Sequence, residues 1–197
     1  METYSQTDII KILQSRQVLF FTLTDFGRLF NIVNQQTLYK KIQRLEKEKI
    51  IQKLINGKYR FLFLAADDFT MANFLYQPSY ISLESALSFH GIITGFPYQI
   101  TSMSIKKPCS FEVDGRDFHY SQISPKLFWG YEKKENFAVA NREKALLDYI
   151  YFGTKGLRNL SFDEFDLTGI NKPKLAIYAK KFNNKIYDYI RTNRKFS

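Results

Sequence analysis

The chain has 197 residues, of which 45% are hydrophobic and 17% aromatic, with 19 Phe and 13 Tyr. That is ample apolar material for a packed core and excludes a disordered, charge-dominated chain. The net charge of +10 favours an acidic partner, because a positive surface raises the local concentration of polyanions. A single cysteine, Cys109, excludes an internal disulfide and a cysteine-based zinc site, and two histidines, His90 and His119, exclude a centre built on several imidazoles.

In chain order, Ser5 to Ser15 reads as a first helix, with Ile9, Ile10 and Leu13 on one face and Ser5 as its N-cap. The run "VLFFT" reads as a short strand, and "DFGRLFNI" after Thr24 as a second helix on Phe26, Leu29 and Phe30. Asn34 caps a third helix through "TLYKKIQRLEKEKII", where Leu38, Ile42 and Leu45 share a narrow arc and Gln36, Lys40, Gln43, Arg44 and Lys47 fall roughly opposite. Tyr39, on the flank, is expected to pack rather than to reach a phosphate. In "IIQKLINGKYRFLFLA" two β-prone runs flank Asn56-Gly57, a dipeptide that tolerates the positive φ angles of a tight hairpin turn.

The order helix, strand, helix, helix, hairpin is that of a winged helix-turn-helix with the hairpin as its wing. Up to Leu64 there are 11 Lys and Arg against 5 Asp and Glu, so +6 of the +10 lies in this third of the chain. The pattern predicts DNA binding. Lys40, Arg44 and Lys47, with Lys53, Lys58 and Arg60 on the wing, would neutralise phosphates, while Gln35, Gln36 and Gln43 would sample base edges. The bland alternative for the third helix, a solvated charged face, fits its end "EKEK" better than its first three turns.

From "AADDFTMANFLYQPS" the texture changes, and the boundary is drawn between residues 1–66 and 67–197 with a short linking helix. Pro78 and Ser79 or Ser82 are expected to begin a helix that Gly91 closes. Strands are expected in "YQITSMSIKK", on either side of Asp114-Gly115, and in "FAVA". "NREKALLDYIYF" reads as an amphipathic helix on Ala145, Leu146, Tyr149 and Ile150, and "SFDEF" as a short helix with a Ser161 and Glu164 capping box. The C-terminal stretch from Asn171 reads as helix, kinked at Asn183-Asn184. The fold class is therefore α+β. Trp129, Tyr131 and Phe137 are expected in the core, and Lys106, Lys107, Lys133 and Lys134 are candidates for a second basic patch.

The apolar runs "VLFF" and "FLFLAA" fall far short of the roughly 20 residues of a membrane span. The opening "METYSQTDII" lacks the basic start of a signal peptide, so cytoplasm is expected. Enzyme chemistry finds little support. His90 is expected to pack or cap. Cys109 is expected to be inert, although nearby lysines could lower its thiol pKa. Glu112 with Asp114, and Glu132 with Lys134, give acidic spacings that a Mg²⁺-dependent nuclease would use. No phosphate-cradling glycine loop, cofactor site or metal site is otherwise indicated.

The segments "PSYISLESALSFHGII" and "VANREKALLDYIYF", about fifty residues apart behind the expected winged helix, resemble the AbiEi family of bacterial type IV antitoxins over nearly the whole chain. Asn141-Arg142 stands where the family often has a proline before "EKALLD". The resemblance implies an N-terminal winged-helix domain and a larger C-terminal α+β antitoxin domain. It implies repression of the protein's own operon through inverted repeats in double-stranded promoter DNA, and action against a nucleotidyltransferase-like toxin without a tight complex. An inverted repeat needs two readers, a homodimer or two monomers side by side. Another winged-helix regulator with a ligand-sensing C-terminal domain, and a nuclease, are the competing functions.

Overall fold

A computed structural model of the chain describes residues 4–95 and 97–196; residues 1–3, which begin the polar opening stretch, lie outside them, as do 96 and 197. Among the described residues there are eight α-helices and two sheets, an α+β fold. The chain divides into two compact units, Met1–Leu75 and Tyr76–Ser197, nine residues beyond the boundary drawn from the sequence.

The first unit runs α1 (Gln6–Ser15), β1 (Phe20–Thr22), α2 (Leu23–Leu29), α3 (Gln35–Lys47), β2 (Ile51–Ile55), β3 (Lys58–Phe61) and α4 (Asp68–Leu75). The helix starts follow from side-chain chemistry. Ser5 Oγ accepts from the Asp8 amide at 3.2 Å while the Asp8 carboxylate accepts from the Ser5 amide at 3.0 Å, a reciprocal capping box. Thr22 and Asp25 repeat the arrangement at α2, and Asn34 Oδ1 accepts from the Thr37 amide at 3.0 Å to start α3.

The helix ends share a device that contains no glycine. Gln17, Asn31 and Lys49, each one residue past a helix cap, sit at φ of 53°, 52° and 55°. The next amide then returns to the helix: Val18 to the Leu13 carbonyl, Ile32 to Gly27 and Ile50 to Leu45, at 2.9, 2.8 and 2.9 Å. This is the Schellman arrangement, in which a left-handed residue satisfies terminal carbonyls and turns an apolar side chain back onto the helix. Ile50 is buried, and Val18 and Ile32 pack against the same core. That core joins Ile9 and Leu13 of α1, Phe26 of α2, Phe30 just beyond it, Leu38, Ile42 and Leu45 of α3, and Phe21, Tyr59 and Phe61 of the sheet. Gly27 lets α2 and α3 approach closely: a Cβ there would stand 3.2 Å from Leu38 Cδ2.

The sheet has the order β1-β3-β2 and is antiparallel throughout. Its hairpin turns at Asn56-Gly57 as expected, with Ile55 paired to Lys58 across the two residues, although only Gly57 has positive φ, 73°, and a bulge between Lys53 and Ile55 shifts the register just before the turn. Asp114-Gly115 in the second unit has positive φ at both residues, 54° and 71°.

The second unit contains β4 (Ser79–Ile81), α5 (Leu83–Phe89), β5 (Gln99–Ser104), β6 (Cys109–Val113), β7 (Arg116–Gln122), β8 (Tyr131–Lys133), β9 (Ala138–Ala140), α6 (Arg142–Gly153), α7 (Lys172–Phe182) and α8 (Asn184–Thr192). Its sheet has the order β6-β7-β5-β4-β9-β8, with β4 parallel to β9, β5 parallel to β7 and the other pairs antiparallel. Of the two starts expected after Pro78, the helix takes Ser82: Ser79–Ile81 is a strand paired with β5, with Ile81 also paired to Val139, and α5 begins at Leu83. Gly91 closes it at φ 70° as expected. "SFDEF" forms a turn rather than a helix; the Ser161 hydroxyl donates to Asp163 at 3.3 Å. The expected kink at Asn183-Asn184 is a full break: Asn183 is extended and caps α8 through the Ile186 amide.

α6 is the largest departure from expectation. It is buried on nearly every side, with Glu143, Lys144 and Asp148 inside as well as Ala145, Leu146, Leu147 and Ile150. Lys144 Nζ pairs with Asp148 and donates to Tyr80 Oη at 2.7 Å, with Tyr80, Trp129 and Phe182 rings 5.0 to 5.4 Å away. The Asp148 carboxylate also accepts from Tyr80 Oη at 3.0 Å and Ser82 Oγ at 2.8 Å. Burial pushes the Asp148 carboxyl up and the Lys144 ammonium down, while their mutual attraction opposes both. At the start of the same helix, Glu143 accepts from the Asn171 amide at 3.0 Å and pairs with Lys174 at 2.8 Å, fixing the beginning of α7.

A buried pair is costly to break singly and cheap to replace whole. Asp148→Ala is expected to destabilise the protein by about 3–5 kcal/mol in urea unfolding. Lys144→Met combined with Asp148→Leu is expected to recover most of that loss; equal losses in the single and double variants would refute this account.

Candidate nucleic-acid interface

Each of the six residues singled out on α3, Gln35, Gln36, Lys40, Gln43, Arg44 and Lys47, is exposed, while Leu38, Ile42 and Leu45 are buried. The period of the helix produces this division: the apolar arc is spent on the core, and the amides and cations remain on the outer surface. Two polar contacts bear on that surface. Arg44 Nε pairs with Glu48 at 3.1 Å, an exposed i, i+4 pair worth a few tenths of a kcal/mol. Gln6 from α1 donates to the same Glu48 carboxylate, which ties the end of α3 to α1. Lys41, on the flank, donates to the Tyr4 carbonyl at 2.7 Å and is spent internally. Tyr39 is 50% exposed, so its ring is not the buried packing element expected of it.

The hairpin cations divide three ways. Lys53 is exposed on the edge strand β2. Arg60 is half-buried on the central strand β3, between Phe20 of β1 and Gln52 of β2. Lys58, at the turn, folds back: its ammonium donates to the Phe74 and Leu75 carbonyls at 2.8 and 2.9 Å and lies 5.1 Å from the Phe74 ring centroid. Those carbonyls end α4, where the helix dipole favours a cation. Lys58 is thus engaged in the fold rather than presented as an outward wing charge.

Arg28 was not singled out in the sequence, and it is exposed on α2 in the groove that also carries Thr24, Asn31 and Gln35. Its signal was present in "DFGRLF", where it points away from Phe26, Leu29 and Phe30. A cation beside the start of α3 extends the surface of amides and cations onto the neighbouring helix.

The enzyme candidates are not drawn together. Glu112 lies on β6 and Glu132 on β8, the opposite edges of the six-stranded sheet, so the two acidic spacings cannot form one site. Among the described residues no group of three or more His, Cys, Asp and Glu could hold a metal ion. Burial raises the Cys109 thiol above its ordinary value, against the lysine-activated reading. His90 caps α5, and its Nε2 lies 2.7 Å from the Ala140 carbonyl, with burial holding its pKa below the ordinary value.

The second basic patch does not form as expected either, because Lys133 and Lys134 lie at the β8 edge and Lys106 and Lys107 on the approach to β6. Trp129, Tyr131 and Phe137 are not fully buried; Trp129 packs edge-on against Tyr178, and Tyr131 stacks on Tyr80. Among the described residues no helix is long and apolar enough to cross a membrane.

The engagement of Lys58 has a measurable consequence. Lys58→Met is expected to lower the urea unfolding free energy by about 1–2 kcal/mol, since it leaves two helix-terminal carbonyls without their cationic donor. An unchanged unfolding midpoint would show that the contact contributes nothing.

No protein-family model matches the chain, and no curated protein does. Among solved structures, the RV2827C protein from Mycobacterium tuberculosis has a similar fold. It is 12% identical, with a TM-score of 0.54 over 96% of this chain and 72% of that one. At that identity the likeness is one of fold.

Proposed function

We propose that the chain is a DNA-binding antitoxin of a bacterial type IV toxin–antitoxin, or abortive infection, system. In this reading the first unit is a winged helix-turn-helix with α3 as recognition helix and the β2–β3 hairpin as wing. It represses the protein's own operon by binding inverted repeats in promoter DNA, as a homodimer or as two adjacent monomers. The second unit counters a cognate nucleotidyltransferase-like toxin without a tight complex. The protein acts in the cytoplasm and is not an enzyme.

The observation that carries the DNA half is the surface of α3, where Gln35, Gln36, Lys40, Gln43, Arg44 and Lys47 are exposed opposite Leu38, Ile42 and Leu45. Long cations match phosphates, and amides match the donor and acceptor pattern of base edges in the major groove. The antitoxin half rests on the resemblance of "PSYISLESALSFHGII" and "VANREKALLDYIYF" to the AbiEi family. The placement of Glu112 and Glu132 on opposite sheet edges favours this reading over a nuclease that would join the two acidic spacings in one site.

Two experiments test the two halves. In titrations of promoter DNA at several salt concentrations, Lys40→Ala is expected to lower the slope of log affinity against log salt by about one unit. Gln36→Ala is expected to relax sequence preference at a cost of about 1–3 kcal/mol with a smaller effect on the slope. Promoter binding unchanged by charge reversal at both Lys40 and Arg44 would remove α3 from the interface. The reading expects a nucleotidyltransferase-like toxin gene beside this one, and in coexpression with its product the full chain is expected to restore growth. Failure of rescue with promoter binding intact would leave only the repressor.

A further inference from the structure

Val33 is 88% exposed, more than any other large apolar residue described in the protein. It directly precedes the Asn34 cap of α3. An apolar side chain at that position commonly packs against the fifth residue of the capped segment, here Leu38, as a staple that fixes the entry of the chain. That role is vacant for Val33. Leu38 is already buried against Gly27, and the apolar residue packed on the core at this corner is Ile32, drawn in by its amide bond to the Gly27 carbonyl.

The fold therefore leaves two valine methyl groups in water beside Gln35 and Gln36, in the groove that also carries Arg28. Exposed apolar residues need no special reason when scattered. This one stands at the start of the surface that carries the DNA-binding reading, among amides and cations, with no polar atom of its own to offer a phosphate. On the major-groove edges of the base pairs the apolar feature is the thymine C5-methyl group.

We propose that Val33 is a specificity-determining residue that packs against a thymine methyl group in each half-site. The inference rests on the DNA-binding reading of α3 and deepens it. Gln35 and Gln36 read the hydrogen-bonding edge of neighbouring bases, and Val33 adds a preference for thymine over cytosine at one position that the amides do not supply.

The test alters the DNA as well as the protein. A duplex from upstream of the gene is footprinted with the full-length chain, and each thymine in a half-site is replaced in turn by deoxyuridine, which removes the methyl group and keeps every hydrogen-bonding atom. One replacement per half-site is expected to weaken binding of the unaltered protein about fourfold, the factor for one methyl group returned to water. Val33→Ala is expected to bind the thymine duplex correspondingly less well and to be indifferent to the same replacement. The proposal is overturned if no replacement affects the unaltered protein, or if Val33→Ala is as sensitive to it as the unaltered protein. If the unaltered protein binds this duplex no better than an unrelated one at matched salt, the DNA-binding reading fails and takes the proposal with it; that outcome is distinguished by the absence of any footprint.

Discussion

The carboxylate of Asp148 is the point on which the second unit is assembled. It lies inside α6 and gathers hydroxyls from β4 and from the start of α5, and the ammonium of Lys144 one turn back on its own helix. A buried carboxylate must be satisfied by partners that sit at hydrogen-bond distance, so it restricts the rotation and depth of α6 far more tightly than apolar packing alone. Ser82 donates its hydroxyl to Asp148 and makes no side-chain cap, and the Ser85 amide in the first turn of α5 donates instead to Thr101 Oγ1. The rest of the unit accommodates this centre: Tyr80, Trp129 and Phe182 wall in the ammonium, and Glu143 at the head of α6 sets the first turn of α7.

The first unit is organised differently, by apolar faces and by helix ends. Three helices each end in a left-handed residue that is not glycine, and each then folds an isoleucine or valine back toward the core. Backbone held in that region costs about 1 kcal/mol or more for a residue with a side chain. It is retained because it satisfies helix carbonyls and buries the following apolar group at once. At the corner between α2 and α3 the same device places Ile32 inward and leaves the outer surface to polar side chains and Val33.

Much of this was legible in the sequence. Ser5 and Asn34 announced helix starts because a short polar side chain can satisfy a free amide, and Leu38, Ile42 and Leu45 announced a buried face because their spacing returns to one side of a helix. Asn56-Gly57 and Asp114-Gly115 both read correctly as hairpin turns, whereas the bulge before the first was not legible, since it depends on pairing across the sheet. Buried charge was not legible. Lys144 and Asp148 are four residues apart on a helix, a spacing that ordinarily marks a wet salt bridge. Only the sheet and the aromatic rings around them, distant in sequence, make the pair interior. The same limit applies at Lys58, whose neighbours in the hairpin suggested an outward charge while its partners lie sixteen and seventeen residues further on.

The arrangement at Lys58 also has a mechanical meaning. The carbonyls it holds belong to Phe74 and Leu75, the last two residues of the first unit. The chain therefore departs from a point riveted to the turn of the hairpin, near the stacked rings of Phe20 and Phe74. A pull or twist applied to the departing chain would pass through the Lys58 ammonium into β3, whose Tyr59 and Phe61 share one core with Leu38, Ile42 and Leu45 of α3.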